Sequence, residues 1–335
     1  MQKSKLAKPI VAGLAACLVS ASLLVGCGGN DAPNNAPNNE PPKAAAPAKP
    51  SRGEVATAPT MTFKFGNEEA KVYELTGIDL KDLIRTGKIV TMGDDIFFHT
   101  DNSREEDKKS HTRKVTMKNE TITNLVDLGP SGDIDELATN GKVTIWETGV
   151  GGEDKNKLVI YDGKEAKVSG KWHSLLVGEP GSDEFWYIRG DDLIVAKLSD
   201  GDLTEPKVVI KGMRNLPGYD SAGLKPICID QGEIYIRRVT KAEDKYSHVL
   251  VAFDKNGKEL RQYEGLTELP RDWAVTENYV IHTGSKGDFR VFDRKTGEVI
   301  GDAKIEMRPF ALWTKTGNDV IVYDDRADKL YRIDF

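Results

Sequence analysis

The sequence predicts an all-β domain made of repeated four-stranded sheets closed into a ring, on three observations. A unit of apolar strand, tight Gly turn, aromatic-rich strand, variable loop, apolar strand ending in an aromatic-Asp pair, turn and polar strand recurs about every 40 residues. Its strands are short and rich in β-branched and aromatic residues, and no long helical periodicity follows the first 60 residues. The last copy stops at Phe335 one strand short. Four short strands per unit at this period is the pattern of a β-propeller, each unit forming one blade around a central channel. We count six blades, with seven left open. Two stacked β-sandwiches would predict neither an even period nor an incomplete final unit.

Taken in order, residues 1–26 read as a signal peptide. Lys3, Lys5 and Lys8 give a positive start, and the apolar run from Ile10 to Val25 is too short to span a bilayer. The stretch Leu24-Val25-Gly26-Cys27 resembles the lipobox of bacterial lipoproteins. That resemblance implies cleavage before Cys27, lipidation of its thiol and acylation of its freed amine. Two or more acyl chains hold a protein at a membrane where one does so only marginally. It also implies that Gly28, which is not the aspartate of inner-membrane retention, favours the outer membrane where there is one. Residues 27–60, dense in Pro, Asn and Ala and almost free of large apolar side chains, cannot build a core and read as a tether.

Residues 61–335 form the propeller domain. Met61–Phe65 or Lys71–Leu75 is expected to supply the missing strand of the last blade and so remove exposed edges. Ile78–Arg85 reads as a short helix capped by Thr76 or Asp79. The repeats then fall at 91–128, 137–168, 175–210, 228–263, 274–301 and 312–335.

Composition excludes some functions. A net charge of −6 without a basic cluster argues against nucleic acid. Cys17 leaves with the signal and Cys27 is acylated, so Cys228, within Pro226-Ile227-Cys228-Ile229, is left as a small buried hydrophobe. The histidines His99, His111, His173, His248 and His282 lack metal-site spacing. Gly149-Val150-Gly151-Gly152 runs into Glu153 and Asp154, the wrong charge for a phosphate loop, and no G-x-S-x-G elbow occurs. Asn119-Glu120-Thr121 fits the glycosylation pattern by chance. No catalytic residue, metal or cofactor is assigned.

Because strands alternate in direction, the turns joining strands one to two and three to four of each blade share one face. The other face carries the long loops at 101–111, 150–156, 212–223 and 240–247, and binding residues concentrate on long loops over a rigid scaffold. Connections into the innermost strands bring Trp172, His173, Arg271, Asp272, Trp273 and Arg308 to that side, which makes them the candidate binding face. Trp and Arg suit protein-protein hot spots, and Trp172 and Trp273 equally suit a wedge between blades. The mixed charges of Asn102–Lys109 mark a solvated hairpin end.

The turns Phe253-Asp254-Lys255-Asn256-Gly257-Lys258 and Phe292-Asp293-Arg294-Lys295-Thr296-Gly297-Glu298 look like the strand-ending turns of quinoprotein-type propeller repeats. Their chemistry is architectural, since Asp accepts from its own backbone two residues on and Gly accepts positive φ. More broadly the chain is similar to propeller lipoproteins tethered to the outer membrane, some of which are scaffolds for envelope assembly machinery. The expectation is a membrane-anchored, extracytoplasmic, non-catalytic module that binds an envelope protein. A metal-dependent propeller hydrolase or lactonase and a glycan or peptidoglycan-binding module are the alternatives.

Overall fold

The computed structural model describes residues 58–80, 88–100, 110–132, 137–148, 157–173, 176–216, 223–242, 245–267, 270–314 and 317–335. All of them belong to one unit, Glu54–Phe335. The signal, the lipobox with Cys27 and nearly all of the tether therefore lie outside the described residues. So do most of the long loops and Gly149–Gly152. Among the described residues no helix is long and apolar enough to cross a membrane.

Six sheets form six blades. Blade 6 joins both chain ends. The N-terminal strands β1 (Met61–Phe65) and β2 (Glu68–Glu74) lie in one sheet with β24 (Pro309–Thr314), β25 (Asp319–Asp324) and β26 (Lys329–Asp334), in the order β1-β2-β26-β25-β24. Both segments expected from the sequence thus contribute. β2 is the fourth strand, with Lys71 opposite Asp334 and Glu74 opposite Tyr331, and β1 adds a fifth.

Blade 1 runs β4 (Val90–Met92), β5 (Asp95–His99), β6 (Ser110–Lys118) and β7 (Thr121–Ser131). The short strand β3 (Thr76–Gly77) pairs with β7 in parallel as a fifth member. This corrects the expected helix start, because Thr76 extends a sheet instead of capping a helix. The reason is local: Gly77 has φ of +113° and lies so close to the carbonyl of Ile122 that no Cβ would fit. Residues 81–85 of that expected helix lie outside the described residues.

Blade 2 comprises β8 (Leu137–Thr139), β9 (Thr144–Glu147), β10 (Lys157–Tyr161) and β11 (Ala166–Lys171), and blade 3 β12 (Val177–Gly178), β13 (Glu184–Arg189), β14 (Asp192–Ser199) and β15 (Asp202–Ile210). Blade 4 comprises β16 (Gly223–Asp230), β17 (Glu233–Ala242), β18 (Lys245–Asp254) and β19 (Glu259–Glu264), and blade 5 β20 (Pro270–Val275), β21 (Tyr279–Gly284), β22 (Asp288–Asp293) and β23 (Val299–Lys304). The innermost strands touch in cyclic order, β24 returning to β4, which settles the count at six.

The core is six seams, one between each pair of neighbouring blades. Successive strand residues point to opposite faces of a sheet, so a strand covered on both sides sends alternate side chains into two different seams. In β25, Val320 and Val322 pack into the seam with blade 5, and Ile321 and Tyr323 into the seam with blade 1. In β17, Ile234 and Ile236 face blade 3 and Tyr235 faces blade 5. This is why the inner strands read as near-continuous apolar runs.

Aromatic-Asp turns follow the third strands of blades 2, 4 and 5, and one follows the second strand of blade 6. Tyr161, Phe253, Phe292 and Tyr323 are buried, and the following aspartates accept backbone N–H bonds from within the turn: Asp254 from Asn256 at 2.8 Å, Asp293 from Lys295 and Thr296 at 2.8 Å each. Asp162 and Asp324 do the same. The sequence Asn119-Glu120 is also a turn, with φ of 47° and 58° at its two residues, the type that matches the twist of a two-residue hairpin.

Two buried arginines clip blades together. Arg332 on β26 donates to Asp319 of β25 at 3.1 Å and to Glu120 of the blade 1 hairpin at 2.7 Å, and lies over the Tyr73 ring of β2 at 4.2 Å. One side chain therefore ties the C-terminal strands to the N-terminal strand and to blade 1. Arg294, after β22, reaches into blade 4, where it donates to the Tyr235 hydroxyl at 2.9 Å and to the Asp230 carbonyl at 3.0 Å and pairs with the Asp230 carboxylate.

Candidate functional site

The channel is lined unequally. The inner strands of blades 1 to 3 are two or three residues long, whereas β16, β20 and β24 are six to eight residues long. Each of these three also carries a register shift beside a proline, at Pro226/Cys228, Pro270/Trp273 and Pro309/Ala311. An inner strand has one edge facing the channel, so a missing N–H is tolerated there, and a bulge re-aims the side chains around it. Blades 4 to 6 thus present side chains to a cavity of about 450 Å³. The signal is local in the sequence: Pro270 and Pro309 begin β20 and β24, and Pro226 is the fourth residue of β16.

The cavity reaches the tight-turn side at Gly93, Gly141, Gln231 and Glu277. At the other end, near the starts of the inner strands, it meets Lys88, Lys225 and Asp272. Between them lie Pro226, Ile227, Cys228, Leu312 and Trp313. Asp272 accepts the backbone N–H of Trp273 at 2.9 Å and of Leu312 at 3.1 Å, bridging blades 5 and 6. Burial raises its carboxyl pKa, against the opposing pull of Lys225 and Arg237. Lys88 donates to the Leu176 carbonyl at 3.1 Å. Burial, with the charge of Asp230, raises the Cys228 thiol well above its usual range, as a small hydrophobe on the channel wall should be.

The candidate face resolves into separate places. Trp172 is buried in the seam of blades 2 and 3, and Trp273 in the seam of blades 4 and 5, stacked on His282 at 4.0 Å between ring centroids. His173 is half-buried and stacks on Tyr187 at 4.8 Å, and burial, with Arg189 and Lys171, lowers its pKa. Arg271 and Arg308 come together around blade 6. Arg308 pairs with Asp325 at 3.1 Å, Arg271 lies over the Phe310 ring at 5.1 Å, and both act on the Asp325 carboxylate. Among the described residues no group of three or more His, Cys, Asp and Glu side chains converges as a metal site would require. The loop segments at 101–109, 150–156, 217–222 and 243–244 lie outside the described residues.

No protein-family model matches the chain. A search of curated proteins returns no match either. Among solved structures, U3-55K is similar over 79% of this chain and 98% of its own, at 8% identity and a TM-score of 0.50. A Bacteroides thetaiotaomicron protein of unknown function aligns over 79% of this chain and 76% of its own, at 10% identity and TM-score 0.49. BamB from Moraxella catarrhalis aligns over 76% and 83%, at 11% identity and TM-score 0.42. At these identities the likeness to U3-55K is one of fold.

Proposed function

We propose that the chain is a lipoprotein anchored through Cys27 on the extracytoplasmic side of a membrane, whose propeller is a non-catalytic protein-binding module of the cell envelope. The observation that carries this reading is the cluster of Arg271, Phe310, Arg308 and Asp325 at the blade 6 entry. Arg308 keeps half of its side chain exposed although paired, and a guanidinium beside an aromatic ring is the composition of a protein-protein hot spot. The lipobox and the polar tether supply anchor and reach. A glycan platform needs exposed ring faces, and Trp172 and Trp273 keep theirs inside seams.

The test is crosslinking of the full-length chain in membranes, followed by purification. One envelope protein should be recovered with the wild type and lost with the double variant Arg271→Glu, Arg308→Glu. Recovery unchanged by those charge reversals defeats the proposed face. For the anchor, Cys27→Ala should abolish incorporation of labelled palmitate and release the protein from the membrane fraction.

A further inference from the structure

We propose that the central channel is a second binding site, for a small organic carboxylate carried on an apolar body. Lys225 takes the charged end, and Trp313, Pro226 and Ile227 receive the body. This site is separate from the protein-binding face proposed above and stands on its own observations.

The cavity has the dimensions of a ligand site. Its volume of about 450 Å³ falls in the range of pockets that enclose small molecules, and an apolar wall with a few polar groups is their usual lining. The bulged inner strands of blades 4 to 6 shape that wall.

Charge then selects the ligand. Lys225 is half-buried on the channel wall, and among the described residues its ammonium has no hydrogen-bonded or ion-paired acceptor. An ammonium without a protein acceptor keeps its donors for a ligand, and a charge-assisted hydrogen bond to a carboxylate is about twice as strong as a neutral one. Lys88 is itself buried and lines the cavity. The carboxylates nearby are already engaged. Asp272 uses one oxygen on the Trp273 N–H and the other on the Leu312 N–H, and Asp230 is neutralised by Arg294. Glu277 is exposed at the opposite, tight-turn end. The Lys225 ammonium has donors to offer at the inner end, whereas both Asp272 oxygens are taken, so an anion is preferred there to a cation.

The body of the ligand lies toward the tight-turn mouth. Trp313 is half-buried and lines the cavity, offering part of its indole to an apolar group, with Ile227 and the Pro226 ring as further apolar wall.

Three probes with one apolar body and three charges test this on the full-length chain: 2-naphthoate, naphthalene-2-carboxamide and 2-naphthylmethylammonium, each titrated by calorimetry at pH 7. Naphthoate should bind at least tenfold tighter than the other two. Lys225→Met should erase that advantage while leaving the amide's affinity unchanged, and Lys225→Arg should keep it. Equal binding of the three probes by the wild type overturns the proposal even if no variant folds. So does tightest binding of the ammonium, which would mean that Asp272 governs the site. A naphthoate advantage that survives in a folded Lys225→Met protein overturns the role of Lys225.

Discussion

His282 makes the ring acid-sensitive by an amount that can be worked out. Its side chain is fully buried in the seam of blades 4 and 5, Nδ1 accepts the Leu266 N–H at 2.8 Å, and the ring stacks on Trp273. Nε2 is buried with no partner among the described residues. Burial, with the positive charge of Arg290 and Arg237 and the neighbouring His248, lowers its pKa from 6.5 to about 3. A folded-state pKa below the unfolded one means that the unfolded chain takes the proton first, so stability is complete above pH 6.5 and falls as pH drops below it. Each pKa unit corresponds to about 1.4 kcal/mol, and between pH 8 and pH 5 the linkage gives a loss of about 2 kcal/mol. That figure holds for any native pKa below about 4, because at pH 5 the folded imidazole is then essentially neutral. His282→Asn keeps an acceptor for Leu266 and cannot titrate. Lacking the stack on Trp273, it should be about 2 kcal/mol less stable than wild type at pH 8. Urea titrations followed by tryptophan fluorescence at pH 8, 7, 6 and 5 should show that gap closing by about 2 kcal/mol. His173, His248 and Asp272 are common to both proteins and cancel in the difference. Parallel stability curves for the two proteins would refute the assignment.

Other substitutions separate closure from surface. Arg332→Met removes the buried guanidinium that Glu120 and Asp319 share and should cost about 3 kcal/mol, with amide exchange opening first at 71–74 and 329–334; Arg332→Lys should not restore it, because one ammonium cannot reproduce the forked contact. A Cβ on Gly301 would lie 2.3 Å from the Gly66 nitrogen, so Gly301→Val should lift β1 off blade 5, cost about 1–3 kcal/mol and open the β1 backbone to tryptic cleavage after the exposed Lys64. Asp293→Ala removes two turn hydrogen bonds and should lower the urea midpoint by the equivalent of about 1 kcal/mol. Arg308→Glu, at an exposed site, should leave thermal stability within about 0.5 kcal/mol of wild type while reducing partner recovery.

The period and the blade order were legible because each seam imposes the same demand on the chain. A strand covered on both faces must be apolar along its length, an outermost strand need not be, and the turn after the third strand of blades 2, 4 and 5 uses an aspartate to take its free N–H groups. Those demands write the recurring unit into the residues, down to Tyr161-Asp162, while Tyr323-Asp324 closes the second strand of blade 6. The closing strand was legible from the copy that is one strand short. The arginine clips were not. Arg332 and Glu120 are 212 positions apart, and nothing local marks either as buried. The places of Trp172 and Trp273 were not legible for a similar reason: each lies at or before an inner strand as a binding residue would, but so does any aromatic that wedges two blades, and only burial separates the two roles.

The channel owes its chemistry to the same economy. A propeller needs its inner strands only as edges, and blades 1 to 3 use two or three residues for that purpose. Blades 4 to 6 spend six to eight, and place Pro226, Pro270 and Pro309 beside register shifts. Packing alone gives no reason for this, since the seams of blades 1 to 3 are filled without it. Structure that bulges three inner strands and turns Lys225, Ile227 and Asp272 toward one cavity is more economically explained by what occupies the cavity than by the ring that surrounds it. On that argument the prolines and Lys225 act as one device. Replacing Pro226 by Ala removes apolar wall and shifts Lys225: the first weakens 2-naphthoate and its carboxamide alike, the second should change the naphthoate-to-amide ratio, while the urea midpoint moves by less than Gly301→Val moves it.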